Sequence, residues 1–253
     1  MNTNPSRPQI SIITVVFNSE KYLEGTILSI INQTYKNIQY IIIDGGSTDS
    51  TVDIIKKYED QIYYWVSEPD KGLYDAMNKG MNKATGEYLW FINSGDKIFE
   101  KDTVESIFSE KKDYTDIYYG ETVITDENNN IIGMRRLKTP ESLNWKSFQK
   151  GMLVCHQAII VRRNVTVPIN INYRHSADFD WIIRILRKNP TITNTKKILV
   201  KFLDGGVSKK TIKKSLFERF HIMRENYGLI PTILNHFIIG VKFFGFLFRY
   251  KRF

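Results

Sequence analysis

The chain has little of what marks several large protein classes. It holds one cysteine, Cys155, so no intrachain disulfide can form, which fits a reducing compartment. That cysteine and four scattered histidines give no ligand pairs at zinc spacing. Neither a Gly-x-Gly-x-x-Gly nor a Walker sequence occurs, which disfavours a dinucleotide or P-loop site. No serine–histidine spacing stands out, so nucleophile triads have no support. Internal repeats and low-complexity segments are missing as well. Met1 to Gln9 is polar and lacks a signal-peptide core. The longest mostly apolar run, Ile233 to Phe248, includes Asn235, His236 and Lys242 and is short for a transmembrane helix.

What is present is a sizeable apolar fraction, 42% of 253 residues, enough for a substantial core. Lys and Arg outnumber Asp and Glu by 36 to 27, a formal charge of +9. The excess is uneven. Residues 209–253 hold ten Lys/Arg and two Glu, a net of +8, which leaves +1 for residues 1–208. A nearly neutral body (1–208) with a basic tail (209–253) points the tail, not the body, at an anionic partner.

Along the body, Ile10 to Val16, Ile38 to Ile43, Ile62 to Val66 and Tyr88 to Ile92 read as strands. Apolar residues at helical spacing follow the first, with Asn18 or Ser19 as the cap. A helix through Tyr58 follows the second, and Leu73 to Ala84 follows the third. Strand–helix three times and then a strand predicts a parallel, doubly wound sheet. Its right-handed crossovers place Phe17, Asp44, Ser67 and Asn93 on one edge. Beyond residue 100 the pattern loosens. A short helix (Thr103 to Phe108), an antiparallel pair (Ile117 to Ile124 and Ile131 to Leu137) and a strand at Ala158 to Val161 are expected. A helix from Asp178 to Lys188, a strand within Thr191 to Leu203 and two basic helices complete the chain.

Several polar groups fall where open α/β sheets bind ligands, at the carboxyl ends of strands. Asp44 ends an apolar strand before Gly45-Gly46. Asn93-Ser94-Gly95-Asp96 ends another. Asp75, Asn78 and Lys79 share one helix face, which is a binding face or a solvated one. Asp178 and Asp180 straddle Phe179 where a helix begins. Capping explains one of them and leaves the other as a candidate general base.

Read in order, these segments resemble family 2 glycosyltransferases of the GT-A fold. The resemblance rests on Ile12 to Asn18, Tyr40 to Asp49, Glu68 to Gly80 and Ala84 to Asp96, with later landmarks at His156-Gln157, Ala177 to Asp180 and Gly205 to Ser208. It covers about residues 9–210 and is similar to the bacterial branch that assembles O-antigen, capsule and exopolysaccharide units. The implied fold is α/β of GT-A type: a mostly parallel doubly wound sheet, a small antiparallel acceptor-side part and C-terminal basic helices. Residues 1–208 become a catalytic domain, with its nucleotide-sugar half at about 9–100 and its acceptor half at about 101–208. The implied reaction moves a sugar from a nucleotide-diphosphate donor, a UDP-sugar first, to a hydroxyl with inversion.

By resemblance, Thr14, Glu20 and Asp44 hold the nucleotide, and Asp75 and Asn78 lie beside the ribose and diphosphate. The metal motif falls on residues 93–96. Asp96 and Asn93 then hold Mg²⁺ or Mn²⁺, and Ser94 joins the donor site. Asp178 takes the place of the catalytic base, with Asp180 kept as the other carboxylate. His156 shapes the acceptor or diphosphate pocket. Asn93 and Gly95 stand where carboxylates are usual, so the metal site is expected to depend on the donor.

On the tail, Asn235, Lys242 and Arg249 form one narrow polar stripe, and aromatic and aliphatic residues cover most of the rest. This pattern predicts a peripheral enzyme at the cytoplasmic leaflet that meets anionic lipid through 209–253 and uses a lipid-diphosphate-linked glycan as acceptor. A core or dimer helix is the alternative for the tail. A nucleotide-sugar-binding protein with little or no turnover is the alternative for the whole. Nucleic acid is not expected as a partner.

Overall fold

The computed structural model describes residues 7–108, 115–205 and 212–250, with the backbone alone for 212 and 242–250. Runs of β-branched residues form the sheet where the sequence places them. They are β1 (Ile10–Val16), β2 (Ile38–Asp44), β3 (Tyr64–Ser67) and β4 (Tyr88–Phe91). Between them run α1 (Leu23–Ile31), α2 (Thr51–Lys57) and α3 (Leu73–Lys83). The four strands are parallel and lie in the order β3-β2-β1-β4. The chain therefore builds outward on one side of β1 and returns to its other side, which opens a crevice between β1 and β4 at their carboxyl ends.

Both faces of β1, β2 and β4 are covered, so these read as unbroken apolar runs and not as alternation, while β3 at the sheet edge is half-buried. Ile12, Ile13, Ile41, Ile42, Trp90 and Phe91 are buried. Each such side chain contributes about 1.5–3 kcal/mol on leaving water. Helix α3 packs closely on β1 because position 80 is glycine. A β-carbon there would stand 2.4 Å from Ile13 Cγ2.

The second half extends the same sheet. It contains β5 (Lys97–Ile98), α4 (Thr103–Phe108), β6 (Ile117–Thr125), β7 (Ile131–Met134), β8 (Ile159–Arg162), α5 (Ala177–Leu186) and β9 (Ile192–Leu203). Strand β8 pairs antiparallel with both β4 and β6, and β9 runs parallel to β6. The expected antiparallel pair is β6 with β7. The result is one mostly parallel sheet, in the order β3-β2-β1-β4-β8-β6-β9-β5, that carries both halves of the body.

Two helices close the chain, α6 (Ile212–Tyr227) and α7 (Leu229–Tyr250). Helix α6 is joined to the body. Its Ile222 and Met223 belong to the same core as the sheet. Helix α7 leaves Ile230, Ile233, Leu234, Phe237, Ile238 and Val241 exposed. Among the described residues no helix is long and apolar enough to cross a membrane. Residues 206–210, which include most of the Gly205 to Ser208 landmark, lie outside the described residues, as do the side chains of Lys242 and Arg249.

Candidate active site

The crevice between β1 and β4 is bridged at its mouth by two hydroxyls, Ser19 Oγ and Ser94 Oγ, 2.7 Å apart. Asp44 sits at the end of the neighbouring β2, fully buried. Its Oδ2 accepts from Ser47 N at 2.9 Å, Gly46 N at 3.2 Å and Ser67 Oγ at 2.6 Å, and Ser47 Oγ donates to Oδ1. The carboxylate is thus folded into its own turn, as Asp side chains often are. Glu20 is exposed and accepts from Ser50 N at 2.9 Å, tying the β1–α1 loop to the β2–α2 loop.

Two expected donor contacts have other work here. The hydroxyl of Thr14 is fully buried, donates to Ile92 O at 2.8 Å and meets Tyr40 Oη at 3.1 Å. It joins β1 to β2 and β4 below the edge and does not reach the crevice. Asn78 donates to Ile169 O at 2.9 Å and accepts from Ile169 N at 2.8 Å, so its amide pins the segment before α5 to α3. Asp75 accepts from Lys71 N at 3.0 Å and stays half-buried at the start of α3.

Strand register makes the centre of the site. Strand β8 runs against β4 with Trp90 opposite Ile160. Asn93 follows β4 and His156 precedes β8, so the two meet at that end of the antiparallel pair. A short 3-10 turn, His156–Ala158, delivers the imidazole there. Trp90 Nε1 holds the turn through Gln157 O at 2.6 Å.

His156 Nε2 stands 3.3 Å from Asn93 Nδ2, and its Nδ1 stands 3.0 Å from Asp178 Oδ2. Asp178 Oδ1 accepts from Tyr74 Oη at 3.0 Å. An ionised carboxylate only accepts, so Nδ1 carries the proton of that bond. His156 Nε2 thus meets the Asn93 amide, and Asn93 Oδ1 is buried with no hydrogen-bond partner. The chain Asn93–His156–Asp178–Tyr74 links the ends of β4 and β8 to the first turns of α5 and α3.

The two acidic residues of α5 part company. Two residues apart on a helix face opposite ways. Asp178 turns to the chain just described. Desolvation alone would raise its pKa, but the His156 hydrogen bond and charge outweigh it and hold the carboxyl at about 2. Asp180 turns away and accepts from Arg184 Nε at 2.7 Å, and burial raises its pKa.

Asp96 closes the floor. Gly95 takes φ +99, a left-handed conformation suited to glycine, and turns the chain so that the Asp96 side chain points inward. Its Oδ2 accepts from Gln157 Nε2 at 2.7 Å and its Oδ1 from Leu203 N at 3.2 Å. Burial pushes the carboxyl up to about 6.

Among the described residues no group of three His, Cys, Asp or Glu is arranged to hold a metal. The buried, unpartnered Asn93 Oδ1 and the Asp96 carboxylate, which keeps a second lone pair on each oxygen, are hard oxygens at one strand end. That set fits a Mg²⁺ or Mn²⁺ ion that arrives with a substrate phosphate and keeps waters. It does not make a resident site.

Tyr74 and Gln157 are central here and were given no role by the sequence. Tyr74 lies within a quoted motif, but its partner is remote in sequence. Gln157 reaches Asp96 from the 3-10 turn before β8, 61 positions away in sequence.

The model for "Glycosyl transferase family 2" matches residues 11–166. A PGL/p-HBAD biosynthesis glycosyltransferase of Mycobacterium tuberculosis is 31% identical over 222 residues, covering 84% of each chain. TuaG of Bacillus subtilis, described as a candidate glycosyltransferase of teichuronic acid biosynthesis, is 27% identical over 90% of this chain and 96% of its own. Among solved structures, S. aureus TarS 1–349 in complex with UDP superposes with a TM-score of 0.66 at 18% identity, over 87% of this chain and 66% of that one.

Proposed function

The chain belongs to glycosyl transferase family 2, and from that premise we propose an inverting transfer of a sugar from a nucleotide-diphosphate sugar, a UDP-sugar first, to a hydroxyl of a lipid-diphosphate-linked glycan. The product is a unit of a cell-surface polysaccharide. The observation that carries this reading is the hydrogen-bonded chain Asn93–His156–Asp178–Tyr74 at the carboxyl edge of the sheet. It sets an ionised, positioned carboxylate beside the crevice where such folds bind nucleotides.

In this mechanism the acceptor hydroxyl approaches Asp178 and gives its proton to a free lone pair of that carboxylate. The oxygen forms a bond to the anomeric carbon as the bond from that carbon to the donor diphosphate breaks, which inverts the centre in one step. His156 and Tyr74 fix the direction of the carboxylate. Asp180 pairs with Arg184 within the helix that carries the base, and Arg184 Nη2 donates to Pro168 O outside it. Ser19, Ser94, Asp44, Glu20 and Asp75 line or brace the donor side. A divalent ion held by Asp96 and Asn93 would supply positive charge to the departing diphosphate when bound.

The tail supplies the acceptor's address. Ile230, Ile233, Leu234, Phe237, Ile238 and Val241 recur at helical spacing on α7, and Ile230 and Phe237 are 73% and 72% exposed. With the +8 of residues 209–253, this stripe suits an anionic membrane surface at the inner face of the cytoplasmic membrane. Sedimentation with anionic vesicles tests it: Ile233→Glu with Phe237→Glu should release the protein. Unchanged binding would reject the membrane, and a dimer that those changes dissociate would assign the stripe to a second copy.

The reaction is tested with a panel of UDP-, GDP- and dTDP-sugars, with and without Mn²⁺, scored for thermal stabilisation and nucleotide release. One donor that both stabilises and turns over supports the transferase. Stabilisation without turnover, over a range of acceptors, would favour a binding protein.

A further inference from the structure

Arg219 of α6 is a cation with no direct anionic partner among the described residues. Its Nε is buried with no hydrogen-bond partner. None of the ion pairs among the described residues includes it. Its guanidinium stands 5.8 Å from the centroid of the Phe179 ring, next in sequence to Asp178. Its charge reaches both Asp178 and Tyr74, where it favours loss of the proton.

This arginine is fixed in place. The carboxylate of Glu218, one residue earlier, accepts from Arg174 N, His175 N and Ser176 N at 2.9, 2.8 and 2.9 Å. Ser215 Oγ meets Ser176 Oγ at 2.7 Å, and Ile222 sits in the core. The helix is clamped to the approach to α5, so the guanidinium is held beside the Asp178 segment.

A partly desolvated guanidinium with an unanswered N–H is costly unless an anion completes it. Stacking on Phe179 satisfies its face but not its donors. A phosphate group has the shape and charge to match the fork. We propose that Arg219 binds a phosphate of a substrate, so that α6 contributes a residue to the active site. This rests on the transferase reading. The phosphate has two sources: the donor diphosphate, or the diphosphate of a lipid-linked acceptor whose reacting hydroxyl lies at Asp178.

The test uses the full chain, with inorganic pyrophosphate and UDP as probes in calorimetry. Arg219→Gln should weaken pyrophosphate at least about tenfold, while Arg219→Lys, which keeps charge and stem, should weaken it only a few-fold. If UDP weakens in parallel, the donor is the source. If UDP is unaffected, the acceptor side is. A shift of the Arg219 Nε–H resonance on adding pyrophosphate to the unmodified protein reads the contact without a variant, should Arg219→Gln fail to fold. Equal pyrophosphate affinity in Arg219→Gln, or an unmoved resonance in a protein that does bind UDP, would overturn the assignment. A protein that binds UDP and also turns over a donor keeps the transferase reading intact whichever way Arg219 falls.

Discussion

Replacing Asp178 with Asn separates the chemistry from the fold. The side chain is 13% exposed and holds Tyr74 Oη and His156 Nδ1, each at 3.0 Å. Its carboxyl is held at about 2 against an ordinary 3.8. At about 1.4 kcal/mol per tenfold, the gap is about 2 kcal/mol of stability from the ionised group. Because the folded value is depressed, that contribution is fully present above pH ~4 and is lost as the pH falls through about 2. At neutral pH the amide forfeits it. For a chain of this size, Tm should drop by roughly 5 °C. Asn keeps the acceptor for Tyr74 but turns an N–H₂ toward His156 Nδ1, so the Nδ1–H bond of the parent is lost. Loss of the base should lower kcat by roughly 10²–10⁴, while UDP affinity stays within about threefold because no part of the donor crevice changes. The assay is nucleotide release under saturating donor, beside calorimetry with UDP and a thermal melt. A variant that keeps its rate within about tenfold of the parent would refute Asp178 as the base. A variant that loses UDP binding as well would show the residue to be structural.

Asp96 carries the opposite sign. Burial raises its pKa to about 6 from 3.8, so the folded protein loses stability as pH rises from ~4 to ~6. Asp96→Asn should therefore gain about 1 kcal/mol relative to the parent between pH ~5 and pH ~8 in urea titrations; a constant difference would place the carboxylate in a wetter setting. Glu218→Ala removes the acceptor of three backbone N–H groups. It should cost roughly 2–4 kcal/mol and lower kcat by unseating α5, and an unchanged urea midpoint would deny the clamp. Gly80→Ala puts a β-carbon 2.4 Å from Ile13 Cγ2. About 1–3 kcal/mol of overpacking should outweigh the roughly 1 kcal/mol gain in helix propensity, and an unshifted midpoint would deny the close contact.

Much of the first half is legible in the sequence because strands covered on both faces become continuous apolar words, separated by Gly and Pro. The end of β2 at Asp44 and of β4 near Asn93 follows directly. Helix α1 begins only at Leu23: Ser19 O accepts from Tyr22 N and Leu23 N, the Asn18 side chain accepts from Thr48 N, the Ser19 backbone N donates to Thr51 Oγ1, and the Ser19 hydroxyl meets Ser94. Partners far apart in sequence are not legible. The bonds of Asn78 to Ile169 O and Ile169 N, 91 positions away, have no sign in the local sequence. Asp178 and Asp180 look equivalent until the helix separates them. Glu218 looks like one charge of a basic tail until three N–H groups converge on it.

The place of β8 in the sheet also has a consequence for how the protein is made. A chain leaves the ribosome from its N-terminus, so β1 to β4 are complete long before residue 159 appears. Until then β4 offers a bare hydrogen-bonding edge, the kind of surface that recruits other chains. Tyr74 must wait for a partner 104 positions downstream, and the approach to α5 waits for Glu218. The nascent polypeptide can thus gather its first four strands early, yet it keeps an open seam and an incomplete Asn93–His156–Asp178–Tyr74 chain until nearly the whole molecule has emerged.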